Sequence, residues 1–537
     1  MKCVLRSKGK RYTCKITQDA NKLYFKTPFA LKGEVKAMKG ARWNPEERLW
    51  TAKRCPRNLF QLRQMMVEPV DENPYAHFEQ EVRPLENISR PLAGQQIDML
   101  ERTLTYHYQI IAAEMGLGKS LFAIELVERN PGKWIIVGPT SALESIKEDR
   151  VKWGSLDNAE LMTYERFRIE KDRILKDVPL GIIFDECTAL KTPGTHTAKA
   201  AQAVCDEIRR VHGLNGFVVA MSGTTTAKRP SDIWSQAEVV WPGFLREGSL
   251  KAFESRYAIV TMAEDLDGVR YPVLEGWREH EVKKLPARLD GLMTTYFKSD
   301  WLDLPERFFE VRELKPTARI KRIGAAIVDA AENTISALTA LRALSSGFQY
   351  KKDATDGKDG SRAMVETHCP KDDAMREILA EEAERGRMIT FASFQGSIDR
   401  VRRICTEEGW DVITIDGRGW TCWRDGEKLS GKDRQAVLRF WKENPNKTVV
   451  VGNPASCRFG LTLVEAVTIV YFDQNFSAEH RLQSMDRNYR MGQTNEVRVI
   501  DLIHLPVDRV VLQTLVENRR LEDLSLGRIR KELETAA

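Results

Sequence analysis

The chain has 537 residues, of which 42% are hydrophobic and 30% are charged, the proportions of an ordinary soluble globular protein. At this length a single hydrophobic core is not expected, and two to four domains are predicted. The sequence holds no run of about 18 apolar residues and no N-terminal apolar stretch of signal-peptide length, which argues against a membrane protein and against secretion.

The formal net charge of +6 is unevenly distributed along the chain. Residues 1–66 contain 17 Lys and Arg against 4 Asp and Glu, a net charge of +13, whereas the remaining 471 residues carry a net charge of −7. A basic end on a near-neutral body is typical of a nucleic-acid-binding module.

The nine cysteines are scattered and form no CxxC pair, which predicts free thiols in a reducing compartment. A zinc site built from Cys3, Cys14, Cys55 and a distant histidine is a minor alternative. Together with the compactness of the chain, this pattern suggests a cytoplasmic or nucleoid protein of bacterial or viral origin.

The N-terminal 66 residues consist of short mixed segments with aromatic residues at Tyr24, Phe25, Trp43 and Trp50. We predict a small, basic α+β domain here. Residues 67–90 contain three prolines and many charged residues, which predicts a linker.

From about residue 91, short apolar segments alternate with helical stretches, which predicts parallel sheets covered by helices on both faces. The segments fall into two series, so the predicted fold is α/β with two parallel-sheet lobes, residues 91–245 and residues 371–537, the second with a C-terminal helix. Residues 246–370 are expected to hold helical insertions and the inter-lobe linker, including one long helix at 320–344 and a mobile polar loop at 351–362. The predicted strands are at residues 109–113, 134–137, 181–184, 217–221, 387–391, 412–415, 448–451, 468–472 and 497–502.

The sequence AAEMGLGKSLFAIEL at residues 112–126 lies between a predicted strand and an amphipathic helix, which is the context of a phosphate-binding loop. Glycines let the backbone approach phosphate, and successive N–H groups plus the helix N-terminus bind the anion. Lys119 is expected to neutralise the β and γ oxygens, and Ser120 to hold Mg²⁺. The strict spacing requires glycine where this chain has Ala113. The predicted nucleotide-binding residues are Met115, Gly116, Leu117, Gly118, Lys119 and Ser120.

Two further strand ends carry candidate residues. GIIFDECT at residues 181–188 places two acids after an apolar strand, at the sheet edge where ligands bind. Asp185 is expected to hold Mg²⁺ through water, and Glu186 to orient or deprotonate the attacking water. MSGTTTAKRP at residues 221–230 follows another strand and by itself reads as an ordinary hydroxyl-rich turn.

QSMDRNYRMGQ at residues 483–493 spaces Gln483, Arg487 and Arg490 at i, i+4 and i+7. This spacing predicts one face of a helix that stops at Gly492. For an isolated pair of arginines, a solvated basic face is the alternative.

Additional segments resemble motifs that follow one another in this order: LAGQQ (92–96), the glutamine motif; IIVGPTSALESIKED (135–149) and its partner LMTYERF (161–167); MITFASFQGSIDRV (388–401), motif IV; and ASCRFGLTLVEAVTIVYFDQNFS (455–477), motif V. TTYFKSDWLDLP (294–305) and SALTALRALSSGF (336–348) match helical insertions. From about residue 91 to 510, the chain therefore resembles the Swi/Snf ATPases of helicase superfamily 2. The resemblance implies two RecA-like lobes, ATP and Mg²⁺ as cofactors, and DNA as a partner.

The same resemblance implies roles for individual residues. Gln96 is expected to read adenine, and Arg487 and Arg490 to act as arginine fingers, which contribute roughly 10³–10⁵ to turnover. Gly460 and Gln493 are implied as further nucleotide contacts. The implied DNA-contact or coupling residues are Pro139, Thr140, Ser141, Thr163, Ser222, Gly223, Thr224, Ser393 and Thr462.

Three departures from the family pattern bear on coupling. Cys187 and Thr188 stand where the family has alanine and histidine, and Thr225 stands where proline is usual. Cys457 and Arg458 replace two common glycines. The catalytic ligands remain, so ATP hydrolysis is predicted, whereas the coupling of hydrolysis to DNA is expected to differ.

KLYFKTPFALKGEVKAMKGARWNPEERLWTAKR (22–54) resembles the HARP domain of HepA-related annealing helicases, which implies recognition of branched or forked DNA and strand reannealing. Lys39 and Arg42 are expected to bind phosphates, and Trp43 to stack on exposed bases. The alternative is that the tryptophans fill a small core, which we favour for Trp50.

The predicted function is a DNA-dependent ATPase that translocates on duplex, forked or branched DNA to remodel forks or anneal strands. A monomer without a membrane partner is expected. Alternatives are a general double-stranded DNA translocase or protein displacer, including the motor of a repair or defence complex, and an RNA helicase. A non-hydrolysing DNA-binding scaffold, prompted by Thr188 and Thr225, is the alternative from a different class.

Overall fold

A computed structural model gives the structure of the chain as two compact units, Met1–Leu302 and Asp303–Ala537. Each unit is described by itself. The structure describes residues 2–7, 10–19, 22–54, 58, 61–62, 65, 78, 80–154, 156–223, 230–247, 249–264, 270–331, 333–355, 362–431, 434–457 and 461–516.

The first unit begins with a five-stranded antiparallel sheet of order β1-β2-β3-β5-β4. Alternate residues of its strands point inward, and their buried side chains, among them Leu5 and Phe25, pack with Val35 from the helix. We call residues 2–54 the N-terminal module. Its elements are β1 (Lys2–Ser7), β2 (Lys10–Gln18), β3 (Lys22–Lys26), a 3₁₀ turn (Phe29–Leu31), a helix (Lys32–Lys36), β4 (Arg42–Asn44) and β5 (Leu49–Lys53).

The described part of the predicted linker (67–90), Phe78 and residues 80–90, contacts the rest of the first unit. Phe78 is buried with its ring centroid 4.7 Å from that of Trp241. Further along, the Leu85 N–H donates to Glu101 at 2.8 Å, and Arg129 donates to the carbonyl of Glu86 at 2.8 Å. Residues 81–90 form no helix or strand, and a few of their groups have partners on the lobe, so the linker stays a prediction; residues 67–77 and 79 lie outside the described residues.

The main sheet of the first unit has six parallel strands in the order β13-β6-β10-β9-β7-β8. Strands β6, β7, β9 and β10 are buried along their whole length, as a sheet covered by helices on both faces requires. The strands of this part are β6 (Tyr108–Ala113), β7 (Trp134–Gly138), β8 (Ala159–Thr163), β9 (Gly181–Phe184), β10 (Phe217–Ser222), the hairpin β11 (Ala258–Glu264) and β12 (Arg270–Trp277), and β13 (Met293–Tyr296).

Helices alternate with these strands. Their bounds are Gly94–Tyr106, Lys119–Arg129, Thr140–Trp153, Tyr164–Ile169, Lys171–Lys176, His196–His212, Pro230–Val240, Leu250–Tyr257, Glu279–Val282, Leu285–Arg288 and Lys298–Trp301, with 3₁₀ turns at Cys187–Leu190 and Gly213–Asn215.

The second unit contains an eight-stranded sheet of order β14-β23-β22-β17-β21-β18-β19-β20. The pairs from β14 to β18 are parallel, and β19 and β20 extend the sheet antiparallel. The strands are β14 (Arg307–Glu313), the hairpin β15 (Phe348–Thr355) and β16 (Arg362–Glu366), β17 (Arg387–Phe391), β18 (Asp411–Asp416), β19 (Gly419–Arg424), β20 (Glu427–Gly431), β21 (Thr448–Gly452), β22 (Thr468–Tyr471) and β23 (Val497–Ile503).

The described residues of the second unit contain eight helices. Their bounds are Ala318–Asp329, Thr334–Ser345, Lys371–Glu381, Gln395–Glu407, Arg434–Glu443, Pro454–Cys457, Ala478–Met485 and Pro506–Val516. Of the predicted C-terminal helix, residues 517–537 lie outside the described residues.

The predicted α/β class is confirmed, and all nine predicted strands are present with ends within one residue of the prediction. The predicted long helix at 320–344 is wrong, because Asn333 accepts a hydrogen bond from the Ser336 N–H at 2.9 Å and starts a separate helix. Strands β15 and β16 occupy both ends of the predicted loop 351–362, of which residues 356–361 lie outside the description.

The middle region, residues 246–370, differs most from its prediction. The segment 294–305, predicted to be a helical insertion, contains one short helix, Lys298–Trp301, but begins within strand Met293–Tyr296, which pairs in parallel with β6 as an edge strand of the first sheet. Arg307–Glu313 pairs with β23 in the second sheet. The boundary between the units therefore lies at 302/303 rather than around a separate middle segment, because each flank supplies an edge strand to a different sheet.

Among the residues described, no helix is long and apolar enough to cross a membrane. The same residues contain no cluster of three or more His, Cys, Asp or Glu suited to a metal ion. Of the alternative zinc ligands, Cys14 is a buried thiol that donates to the Tyr12 carbonyl at 3.5 Å, and Cys55 lies outside the described residues.

Candidate active site

The phosphate loop, residues 113–119, connects the end of β6 to the helix Lys119–Arg129. Gly116 and Gly118 have φ of 85° and 82°, a left-handed conformation that glycine adopts without steric penalty. The Lys119 ammonium donates to the carbonyl oxygens of Ala113 at 2.7 Å and Glu114 at 3.4 Å. The lysine is thus held across its own loop, beside main-chain N–H groups that suit an anion.

The remaining predicted residues of this loop have different surroundings. Met115 and Leu117 are buried, whereas Ser120 is half-buried in the first turn of the helix. A hydroxyl such as that of Ser120 and a carboxylate such as that of Asp185 are oxygen ligands of the kind Mg²⁺ prefers. The donor set therefore fits the predicted metal.

Gln96 lies directly against the phosphate loop. Its side-chain amide donates to the carbonyl of Gly118 at 3.1 Å and accepts from the N–H of Ala93 at 2.9 Å. A Cβ at Gly118 would lie 2.1 Å from Gln96 Nε2. The structure gives Gln96 a role in shaping the loop, and its contact with adenine stays a prediction.

Asp185 and Glu186 follow β9 at the same edge of the sheet as the phosphate loop. Burial raises the pKa of Asp185, and the positive charge of Lys119 opposes part of that rise. The backbone N–H of Glu186 donates to Asp185 Oδ1 at 3.0 Å. Glu186 itself has φ of 52°, an unfavourable conformation for a residue with a side chain and one that is concentrated at functional sites.

Tyr164 supports this pair from the neighbouring segment 161–167, and the sequence reasoning missed it. Its hydroxyl donates to the carbonyl oxygen of Asp185 at 2.9 Å. Burial raises the pKa of Tyr164 well above its ordinary value, so the hydroxyl remains a donor. The only sequence signal is its position one residue after a predicted contact residue, Thr163.

The strand ends of β6, β9 and β10 bring three predicted segments together. Ser222 is buried at the end of β10. A Cβ on the next residue, Gly223, would lie 3.0 Å from the terminal methyl carbon of Met115 and 3.3 Å from Glu186 Oε1. The loop after β10 therefore touches both the phosphate loop and the acidic pair; Thr224 and Thr225 lie outside the described residues.

The predicted nucleic-acid contacts of the first unit lie after β7 and β8. Pro139 and the exposed Thr140 begin the helix Thr140–Trp153, and the side chain of Ser141 lies outside the description. Thr163 caps the helix Tyr164–Ile169 by accepting from the Arg166 N–H at 3.2 Å. Because all these strands are parallel, the segments share one sheet edge with Lys119 and Glu186.

The arginine loop, residues 486–493, follows the helix Ala478–Met485. The predicted single helical face is wrong, because the helix ends at Met485 and both arginines lie on the turns beyond it. Arg487 is only 5% exposed and donates to the carbonyls of Gln483 at 2.8 Å and Leu461 at 3.2 Å. These contacts bind the loop to the segment that resembles motif V.

Arg490 is half-buried in the arginine loop. Its guanidinium donates to Thr462 Oγ1 at 2.9 Å and to the Leu461 carbonyl at 3.3 Å. Thr462 thus meets a predicted finger within this unit, while Gly460 lies outside the described residues.

Gln493 is buried at the end of the arginine loop. Its amide donates to the carbonyls of Val464 at 2.9 Å and Asn488 at 3.1 Å, and accepts from the N–H of Asn495 at 2.9 Å. The structure gives it a supporting role in the loop, and its predicted nucleotide contact is untested.

Ser393 follows β17 and is held by two residues that the sequence reasoning missed. Its N–H donates to Asp473 at 2.6 Å, and its carbonyl accepts from Asn453 at 2.9 Å. Both partners stand just after buried strands, β22 and β21, which is the signal that could have identified them. The arrangement fixes the main chain of the segment that resembles motif IV.

In the N-terminal module, the two tryptophans differ in exposure. Trp43 and Trp50 are cross-strand partners with ring centroids 5.5 Å apart. Trp50 packs partly against the core, whereas Trp43 is 48% exposed. The side chains of Lys39 and Arg42 are exposed. Trp43 therefore has a free surface on which a base could stack, whereas Trp50 takes the structural role we favoured.

Comparison with known proteins gives one family match and several distant relatives. The family described as "Helicase conserved C-terminal domain" matches residues 370–492, which include the arginine loop. An uncharacterized ATP-dependent helicase of Mycoplasma pneumoniae is 23% identical over 450 residues, 78% of this chain and 40% of that protein.

A second relative is the SWI/SNF-related matrix-associated actin-dependent regulator of chromatin subfamily A-like protein 1 of Xenopus tropicalis, 23% identical over 423 residues, 73% of this chain and 40% of that protein. The Sulfolobus solfataricus SWI2/SNF2 ATPase core, solved in complex with dsDNA, is 21% identical and covers 85% of this chain and 99% of its own, with a TM-score of 0.37. The chain thus spans two fifths of the length of each curated relative. The chain is therefore similar to helicase-type proteins over most of its own length, and the family match lies at residues 370–492.

Proposed function

We propose that this chain is a DNA-dependent ATPase that translocates on duplex or branched DNA. The carrying observation is that Lys119, the pair Asp185 and Glu186, and Gly223 meet at one edge of a parallel sheet. Ligands bind at this edge in open α/β sheets. The match to a helicase C-terminal domain and the ATP-dependent helicase relative support the same activity.

In the proposed reaction, Lys119 exchanges its bonds to the carbonyls of Ala113 and Glu114 for the β and γ oxygens of ATP. Ser120 and, through water, Asp185 would hold a Mg²⁺ ion, which would neutralise phosphate charge when bound. Glu186 orients the attacking water or takes its proton. The left-handed backbone of Glu186 aims its side chain toward the loop after β10.

We assign Arg487 and Arg490 the role of arginine fingers, which stabilise the charge that develops on the transferred phosphate. Arg490 suits this role better, because its guanidinium is half-exposed and its side-chain partner is the exposed hydroxyl of Thr462. Arg487 is buried against main-chain carbonyls and holds the loop in place. The pair thus combines one contacting and one supporting residue.

We further propose that the N-terminal module directs the motor to forked or branched DNA, for reannealing or remodelling. The support is its net charge of +13 over residues 1–66, the exposed Trp43, and the exposed Lys39 and Arg42. Phosphates attract the basic side chains without regard to sequence, and an exposed tryptophan stacks on unpaired bases.

The test measures ATP turnover with single-stranded, duplex and forked DNA and with RNA, comparing the wild type with Trp43→Ala. We expect forks to stimulate turnover most, and the substitution to weaken the response to forks by about 5- to 100-fold in DNA concentration. Trp50→Phe is the matched control, because it keeps a packed ring. Equal stimulation by every duplex, unchanged in Trp43→Ala, would leave a general translocase; stimulation by RNA alone would favour an RNA helicase.

A further inference from the structure

A short connector, residues 296–307, carries the chain from the last strand of the first sheet to the first strand of the second. It contains the end of β13, the helix Lys298–Trp301 and the start of β14. The boundary between the two units falls inside it, between Leu302 and Asp303. Neither of its ends is a free loop.

The first end of the connector is bound to the phosphate loop through Glu114. The Glu114 N–H donates to the carbonyl of Tyr296 at 3.1 Å, and the Glu114 carboxylate accepts from the N–H of Lys298 at 2.6 Å. The carbonyl of the same Glu114 accepts from Lys119 at 3.4 Å. One residue thus joins the connector to the ammonium group proposed to bind phosphate.

A second contact attaches this end to the segment that resembles the glutamine motif. A Cβ at Gly94, the first residue of the helix Gly94–Tyr106, would lie 3.3 Å from the ring of Trp301. Gln96 lies on the first turn of the same helix and bonds to the phosphate loop. The connector therefore contacts both the phosphate loop and the helix that carries Gln96.

The other end of the connector is bound to the arginine loop through Tyr489. The Tyr489 hydroxyl donates to the carbonyl of Pro305 at 2.9 Å. The guanidinium of Arg307 lies 4.5 Å from the centroid of the Tyr489 ring and 5.3 Å from that of Phe309. Such contacts between a cation and an aromatic face are attractive, and they fix the tyrosine ring against β14.

Backbone pairing extends this attachment. The Val497 N–H donates to the carbonyl of Glu306 at 3.0 Å, and β14 pairs with β23 along its whole length. Tyr489 itself stands between Arg487 and Arg490 in the chain. The connector is therefore attached to the loop that carries both arginines.

We propose that the connector couples the two nucleotide-binding loops, with Glu114, Arg307 and Tyr489 as its positioning residues. This inference rests on the proposed ATPase function. Nucleotide that orders the phosphate loop also orders Glu114, and the connector transmits this to the placement of Arg490. The three residues do not touch the reacting atoms; they act by setting the geometry of residues that do.

The first test removes the contacts at the arginine-loop end with Tyr489→Phe and Arg307→Gln. We expect each substitution to lower kcat about three- to tenfold, as the loss of one hydrogen bond or cation–aromatic contact implies. The KM for ATP should change less than about twofold, since the arginines act in the transition state rather than in ground-state binding. Arg307→Lys keeps a cation over the ring and should restore most of the lost rate.

The matched control is Arg312→Gln, which removes a guanidinium from the same strand. Arg312 binds Glu310 and Glu381 rather than the arginine loop, so its substitution should leave kcat unchanged even where the melting temperature falls. An equal loss of kcat in Arg307→Gln and Arg312→Gln, or no rescue by lysine, would overturn the positioning role.

The second test asks whether the two ends communicate, by combining Glu114→Ala with Tyr489→Phe. Substitutions without shared partners normally have additive effects. We expect the double variant to lose at least about threefold less kcat than the product of the single losses, because either change alone removes a side-chain bond on which the coupling depends. Glu114→Gln, which keeps an acceptor oxygen for the Lys298 N–H, should resemble the wild type.

The outcomes separate the inference from the function on which it rests. If the wild type hydrolyses ATP and the single losses of kcat multiply in the double variant, the coupling alone is overturned. Absence of turnover in the wild type overturns the proposed ATPase function and the coupling together. Thermal unfolding of every variant shows whether a lost rate reflects a lost fold.

Discussion

The phosphate loop of the first unit and the arginine loop of the second both hold cationic side chains against main-chain carbonyls, but they are shaped by different forces. The phosphate loop depends on its own backbone, with left-handed glycines at Gly116 and Gly118. The arginine loop depends on buried side chains that bond to main chain elsewhere, such as Arg487 and Gln493. A loop of the first kind is specified by local sequence, and a loop of the second kind by tertiary contacts.

The largest expected effect tests the division of roles within the arginine loop. Arg490→Ala should lower DNA-stimulated kcat by about 10³-fold or more, as the loss of an arginine finger does, with little change in melting temperature because the side chain is half-exposed. Arg487→Ala should lower both, since it removes a buried guanidinium that donates to the carbonyls of Gln483 and Leu461.

Steady-state turnover and thermal unfolding, measured on the same preparations, check this pair. If Arg487→Ala is stable and loses more kcat than Arg490→Ala, the contacting role would belong to Arg487 and the supporting role to Arg490.

In the phosphate loop, Lys119→Ala should lower kcat by about 10²- to 10³-fold, the range for removing one preorganised charge-stabilising donor. The lysine's partners are carbonyls of its own loop, so the fold should survive. Turnover and circular dichroism test this prediction. Wild-type turnover in Lys119→Ala would move the phosphate site away from this loop.

A pair of glycine substitutions sharpens the contrast between the loops. Gly118→Ala and Gly492→Ala each place a Cβ on a left-handed residue, with φ of 82° and 98°. This strain should lower the free energy of unfolding by about 1 kcal/mol in each variant. The Cβ at Gly118 would also lie 2.1 Å from Gln96 Nε2, whereas nothing lies within 4 Å of the one at Gly492. We therefore expect Gly118→Ala to be destabilised by about 1–3 kcal/mol more.

Denaturant unfolding of the two variants gives the comparison directly. Equal destabilisation would show that Gln96 moves aside without penalty, and would remove its role in shaping the phosphate loop.

The smallest expected effect concerns the buried polar groups of the second unit. His504 is buried and bonded through Nδ1 to the Ser345 carbonyl at 3.0 Å, and burial lowers its pKa. Below the ordinary histidine pKa of about 6.5, the unfolded chain binds a proton that the folded chain resists, so stability falls with falling pH. Above that value, this contribution is fully retained.

His504→Asn should reduce the loss of stability between neutral pH and pH 5, since asparagine can donate to Ser345 without titrating. Melting temperatures across this pH range provide the measurement. An unchanged pH slope in His504→Asn would assign acid sensitivity to other groups.

The contrast between the two loops also explains which features could be predicted from sequence. All nine apolar strand segments and the phosphate loop follow from local pattern, because burial and glycine geometry act over a few residues. Edge strand β13, in contrast, comes from the half-buried segment Met293–Tyr296, whose pairing with β6 no local pattern reveals.

The errors in helix limits have a similar origin. The helix Ala478–Met485 ends before the arginines although the residues beyond it keep helical spacing, because the main-chain carbonyl of Arg487 accepts from the Leu463 N–H at 2.9 Å in a distant segment. Glu114 and Tyr489 stood within recognised motifs, yet their contacts with the connector depend on where residues 296–307 run. Such partners appear only once the chain is folded.

The central claim is that the loops around Lys119 and Glu186 form the site of an ATP-hydrolysing motor that responds to DNA. The most direct measurement compares steady-state ATP turnover of the wild type and Glu186→Gln, each with and without duplex DNA. We predict turnover in the wild type that rises with DNA, and none above background in the variant, which still binds ATP. No turnover in the wild type, or equal turnover in both proteins, would contradict the assignment.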